Sequence, residues 1–124
     1  MSESRTMAEI NLFKHARDTV ALQQGEVLFR EGESGEVMFA VIEGQIELTR
    51  SGTVIETVGP GGIMGELALI DSAPRSATAT AHASARVVSV DRKYFTYLVQ
   101  EHPTFALQVM TVMAERLRNA NDHA

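Results

Sequence analysis

From Thr19 to about Asp91 the sequence breaks into short apolar and β-branched runs, each stopped by a polar turn that carries glycine. Gln24-Gly25, Glu31-Gly32-Glu33-Ser34-Gly35, Glu43-Gly44 and Ser51-Gly52 are the turns. The spacing predicts strands at Thr19 to Gln23, Glu26 to Arg30, Val37 to Glu43, Gln45 to Arg50, Thr53 to Val58, Ala77 to His82 and Arg86 to Asp91. Val37, Phe39 and Val41 alternate with Met38, Ala40 and Ile42, so both faces of that strand are apolar. Such a strand is covered on both sides or lies beside a ligand. Many short strands with regular turns make a sandwich or a barrel.

The period changes at both ends of this region. Residues 8–18 read as a short amphipathic helix, with Ile10, Phe13 and Ala16 inward and Lys14, Arg17 and Asp18 outward. After the strands, Asp91 is a good N-cap for a helix from Arg92 to Gln100. Pro103 suits the first position of a second helix, Thr104 to Asn119. Phe105, Val109 and Val112 form one stripe of that helix; Ala106, Met110, Met113 and Leu117 form another. The combined face is wider than one contact with the strands requires; the surplus would face a partner subunit, which motivates a homodimer through the C-terminal helix, or cover a bound base, and packing on its own barrel alone is the plain alternative.

Length and composition narrow the function. A chain of 124 residues, 44% of them apolar, makes one domain with a real core, so residues 1–124 are expected to be a single unit. A net charge of -5 argues against a broad nucleic-acid surface and leaves an anionic ligand to local positive groups. There is no cysteine, which excludes disulfides, thiol catalysis and thiolate metal sites. No run approaches the roughly 18 apolar residues that span a bilayer, and the polar start is not a secretory signal, so a cytoplasmic location is the expectation.

The stretch from Gly61 to Thr78 carries the chemistry. Its glycines allow close backbone approach to a ligand. Gly65-Glu66-Leu67-Ala68 predicts a single helical turn, whose first amides have no internal partner and favour an anion. Arg75 is a permanently charged planar fork suited to phosphate oxygens. Glu66 only accepts hydrogen bonds, so it suits a donor such as a sugar hydroxyl. An anion cradle, a phosphate clamp and a hydroxyl acceptor together fit a small sugar phosphate.

Gly65-Glu66-Leu67-Ala68-Leu69 through Pro74-Arg75-Ser76-Ala77-Thr78 closely resembles the phosphate-binding cassette of cyclic-nucleotide-binding domains. These are the sensor domains of catabolite activator proteins, cyclic-nucleotide-dependent kinases and cyclic-nucleotide-gated channels. Gly25 to Gly32 and Phe39 to Gly44 resemble the front half of the same fold, and the likeness covers roughly residues 11–120. It implies a mainly β protein: a jelly-roll (double-stranded β-helix) barrel over residues 19–91, a short N-terminal helix, and two C-terminal helices over residues 92–120. It implies cyclic AMP, or cyclic GMP, as the ligand, with no further cofactor.

Roles follow from the resemblance, residue by residue. Glu66 would accept from the ribose 2'-hydroxyl, and Arg75 would pair with the exocyclic phosphate oxygens. Ser76 would donate its amide and its hydroxyl to the same phosphate. The amides of Gly65, Leu67 and Ala68 would line the sugar and phosphate, with Ala77 close behind. Arg116, Arg118, Asn119 and Asn121 are candidate base-edge contacts, and a solvated helix end explains the same residues. Met64 and Gly62 depart from the family pattern, where an aromatic residue and Asp are common; both read as packing variation. The likeness to the activator proteins ends where their helix-turn-helix domain would begin, so the expectation is a stand-alone sensor with an unknown effector protein, without direct DNA binding, membrane insertion or catalysis.

Other functions fit less well. Metal chemistry needs clustered His and carboxylate ligands, and among His15, His82, His102 and His123 no pair has metal spacing. Gly59-Pro60-Gly61-Gly62 lacks the Gly-Lys-Ser/Thr of a triphosphate loop, and Met64 stands where Gly-x-Gly-x-x-Gly needs its last glycine. An ordinary loop would pair Glu66 with Arg75 in a salt bridge. An interaction module of the same fold without a nucleotide, and a sensor of another anion such as a cyclic dinucleotide, are the remaining alternatives.

Overall fold

The computed structural model describes Phe13 and residues 19–122, without the side chains of the last two helical residues. Eight strands, Thr19–Leu22 (β1), Val27–Phe29 (β2), Met38–Glu43 (β3), Ile46–Arg50 (β4), Thr53–Val58 (β5), Ile63–Met64 (β6), Thr78–Ala81 (β7) and Ala85–Val90 (β8), form two antiparallel sheets. The strand orders are β1-β8-β3-β6 and β2-β7-β4-β5. Eight strands interleaved between two sheets in this order make a jelly roll; the sheets remain two ladders and do not close into one. A short helix, Glu66–Asp71 (α1), interrupts the strands, and Arg92–Glu101 (α2) and Thr104–Asp122 (α3) follow them.

Seven of the eight strands lie where the turn spacing puts them. The exception is β6, two residues between glycines, too short to show a period. Both helices after Asp91 form as expected, and α3 runs three residues beyond the expected Asn119. The Asp91 carboxylate accepts from the Tyr94 amide at 2.8 Å, satisfying a first-turn donor that has no helical partner. Of the helix expected over residues 8–18, Phe13 alone lies among the described residues. It is buried, edge-on to Phe105 with ring centroids 6.0 Å apart.

The two apolar faces of β3 divide the core. Phe39 and Val41 join Phe29, Ile46, Leu48, Val58, Met64 and Val87 between the sheets. Met38 and Ala40 pack outward with Val88, Val90, Leu69, Leu98, Phe105 and Val109, so the three helices sit against the outside of one sheet. Leu98 and Phe105 anchor α2 and α3 there, each side chain stabilising the docking by roughly 1.5–3 kcal/mol through area removed from water. Met64 is fully buried in the inter-sheet core, so its departure from an aromatic residue is a packing choice. A side chain at Gly62 would strike Val58.

Candidate functional site

The site begins where β6 ends. Gly65 takes φ 77, a left-handed conformation, and α1 starts at the next residue. A non-glycine residue there would carry backbone strain. The turn ends at Ser72, also left-handed at φ 59, and Ala73 donates its amide to the Asp71 carboxylate at 3.0 Å. The chain then returns through Pro74, Arg75, Ser76 and Ala77 into β7. That return is tied to its surroundings at both backbone groups of Arg75. Its amide donates to the Glu33 carbonyl and its carbonyl accepts from the Gly32 amide, each at 2.8 Å. The Ser76 carbonyl accepts from Arg50 Nε at 2.9 Å.

Arg75 is 7% exposed and its partners are carbonyls. Nη1 donates to the Val37 carbonyl at 2.8 Å and, at 3.4 Å, toward that of Gly65. Nε is buried without a hydrogen-bond partner. The guanidinium carbon stands 4.4 Å from the centre of the Phe29 ring and 5.7 Å from that of Phe39. Burial pulls its pKa below the usual guanidinium range, and the more distant charge of Glu33 opposes that. Arg75 forms no ion pair with a carboxylate among the described residues.

Glu66, 5% exposed, does not pair with Arg75 as an ordinary loop would have it. Its Oε1 accepts from Arg116 Nη1 at 2.6 Å. The same guanidinium grips Glu56 with two bonds, Nε to Oε1 at 2.9 Å and Nη2 to Oε2 at 3.0 Å, and reaches the Ile63 carbonyl at 2.8 Å. Burial alone would lower the Arg116 pKa, but the hydrogen bonds and charges of Glu56 and Glu66 outweigh it and hold it above the usual value. Arg116 is thus no solvated helix end: it fastens α3 to α1, β5 and the end of β6. Arg118 and Asn119 are exposed on the last turns of the same helix, and the side chain of Asn121 lies outside the described residues.

Of the expected site residues, Glu66, Ala68, Arg75 and Ala77 are buried on one segment, Gly65 is half-buried, and Leu67 and Ser76 are exposed. Phe29, Gly35, Val37 and Glu56 were missed as site residues. Glu56 reads as one more polar position of an edge strand, and its partner is sixty residues away. A groove of about 480 Å³ lies alongside, between α3 and residues 56–63, and meets the site only at Glu56, Ile63 and Arg116. It does not include Arg75. Among the described residues no group of three metal-type side chains occurs, and no helix is long and apolar enough to cross a membrane.

A family model described as "Cyclic nucleotide-binding domain" matches residues 19–102. The chain belongs to the cyclic-nucleotide-binding domain family. A CRP-like cAMP-activated global transcriptional regulator of Mycobacterium tuberculosis is 30% identical over 109 residues, 84% of this chain and 49% of that protein. The catabolite activator protein of Thermus thermophilus superposes with a TM-score of 0.77 at 25% identity, over 97% of this chain and 57% of that one. A structure from a cyclic-GMP-dependent signalling pathway that regulates bacterial phytopathogenesis gives 0.73 at 28% identity, with 94% of both chains covered. The chain spans about half the length of the curated regulator it matches. In this family the domain is a regulatory one, and some relatives attach it to an enzyme: lysophospholipase nte1 of Neurospora crassa is 31% identical over a segment that is 7% of its length.

Proposed function

We propose that this domain is a cyclic-nucleotide sensor that holds the cyclic phosphate on Arg75 and passes occupancy to the C-terminal helices. One observation carries this: a buried guanidinium that, among the described residues, has only carbonyls for partners, one orphaned N–H and no paired carboxylate. A buried charge is costly unless paired, and an anionic ligand is the group that would pair it. In this reading the Arg75 fork takes the exocyclic oxygens, and Ser76 adds its amide and its exposed hydroxyl. The amides of Gly65, Leu67 and Ala68 line the sugar and phosphate, with Ala77 behind them. The ribose 2'-hydroxyl donates to Glu66, whose carboxylate keeps acceptor capacity after Arg116 takes Oε1.

The link from Glu66 through Arg116 to α3 supplies the route for signalling. A ligand that draws on Glu66 changes the hold on α3 and favours one of two helix positions. The ligand is cyclic AMP or cyclic GMP: the Ser76 hydroxyl suits either in this reading, curated relatives are named for cAMP, and a structural neighbour comes from a cyclic-GMP-dependent pathway. In this reading the domain is regulatory and not itself an enzyme, and it acts in the cytoplasm on an effector protein. A second copy is the partner best suited to α3: Leu107, Met110 and Leu117 lie exposed on the face opposite Phe105 and Val109. Light scattering with and without ligand tests that part, and a monomer in both conditions would remove it.

Titration calorimetry of refolded, ligand-stripped protein with cyclic AMP and cyclic GMP tests the central reading. Micromolar or tighter binding to one of them is expected. Arg75→Ala removes a charge-assisted pair of roughly 1.5–3 kcal/mol, so affinity should fall about ten- to a hundredfold. Wild-type affinity in Arg75→Ala would refute the role of Arg75.

A further inference from the structure

We propose that Gly35, in the turn between β2 and β3, is a positioning residue for the anion site, because a side chain there would occupy the place of the Arg75 guanidinium. The inference rests on the reading of Arg75 as the phosphate contact. Gly35 is not among the positive-φ glycines, so its backbone does not require glycine. Space does. A Cβ at this position would lie 2.5 Å from Cζ, Nε and Nη2 of Arg75, far inside van der Waals contact. Gly65 bounds the fork on another side, where a Cβ would fall 2.5 Å from Nη1. The Phe29 ring lies 4.4 Å from its carbon. The same turn holds the Arg75 backbone through Gly32 and Glu33.

The guanidinium is therefore lodged between two glycines and an aromatic ring, and its fork is aimed before any ligand arrives. Arginine recognises phosphate through the direction of its N–H bonds as well as its charge, so a displaced fork binds less well even with every donor intact. Gly65 cannot isolate this effect, because its positive φ adds backbone strain to any substitution. Gly35 can. Gly35→Ala leaves every hydrogen-bonding group in place and adds one methyl group against the guanidinium.

The test is a double-mutant cycle read by titration calorimetry with cyclic AMP and cyclic GMP: wild type, Gly35→Ala, Arg75→Lys and the double variant. Gly59→Ala is the control, since its φ is not positive and a Cβ there meets nothing within 4 Å. Gly35→Ala should weaken binding about tenfold or more, Gly59→Ala should leave it unchanged, and the Gly35→Ala penalty should shrink beside the slimmer lysine head. Wild-type affinity in Gly35→Ala, with Arg75→Ala still impaired, would overturn the role of Gly35 and leave the anion site standing. Wild-type affinity in Arg75→Ala would overturn the underlying reading and this inference with it. Should Gly35→Ala fail to fold alone, the space argument requires that adding Arg75→Ala restores folding; a double variant that stays unfolded overturns the proposal.

Discussion

Two arginines sit within this one site and live in opposite surroundings. Arg116 holds two carboxylates and a carbonyl, and those partners raise its pKa despite burial. Arg75 is at least as well hidden, faces two phenylalanine rings and two carbonyls, and its pKa is lowered. The fold has satisfied one charge internally and left the other short of an anion. Their difference separates two arginines that look alike in sequence: one fastens a helix, and the other has no paired carboxylate among the described residues, which is what the proposed anion site rests on. Burial alone does not distinguish them, while the inventory of partners does.

Substitutions can break the comparison, and the largest effect belongs to Arg116. Arg116→Ala strands the carboxylates of Glu66 and Glu56, and urea unfolding should show a loss of about 2–3 kcal/mol. That is below the roughly 3–5 kcal/mol of a fully buried pair, because Glu56 is more than a third exposed. Stability equal to wild type would mean that the ion pairs do not hold α3. Arg75→Met should do the reverse, altering ligand-free stability little while lowering the response to ligand. At a hundredfold excess over Kd the wild type should gain about 2.7 kcal/mol, and the variant between about 1.4 and 0.4 kcal/mol, by thermal shift. An unchanged gain would leave Arg75 no part in binding.

Smaller changes sharpen the same contrast. Glu66→Gln keeps the shape and the bond from Arg116 but removes a charge, and should cost about 1–2 kcal/mol of stability. It should also weaken cyclic-nucleotide binding; if affinity alone drops, Glu66 serves the ligand and not the helix. Asp91→Ala removes the cap of α2, remote from both arginines, and should cost about 1 kcal/mol with ligand affinity unaltered. A fall in affinity there would place α2 inside the binding mechanism.

The candidate segment was easy to group because its pieces are contiguous. Gly65, Glu66 and Arg75 fall within one loop and short helix, so residue type and spacing sufficed to group them. The turns that set the strands were legible for the same local reason. β6 was not, since two residues hold too little pattern, and its place is set by pairing with Phe39 and Ala40. The environment of Arg75 was equally hidden: Phe29, Gly35 and Val37 reach it only because the end of β2 and the turn to β3 fold back on the segment that carries Arg75. Arg116 was noticed, but as a ligand contact or a solvated end, because Glu66 and Glu56 lie fifty and sixty residues away.

The amino-acid sequence by itself determined the class of fold, the two helices that follow it and the family to which the chain belongs. These depend on short-range periodicity, turn chemistry and side-chain type, all of which are written along the chain. Only the tertiary structure decided which carboxylate each arginine meets and where a methyl group would not fit. Electrostatic partnership and free space depend on distance in three dimensions, so Arg75 became a buried guanidinium without a paired carboxylate among the described residues, and Arg116 a fastener, only once the sheets and α3 had closed around them.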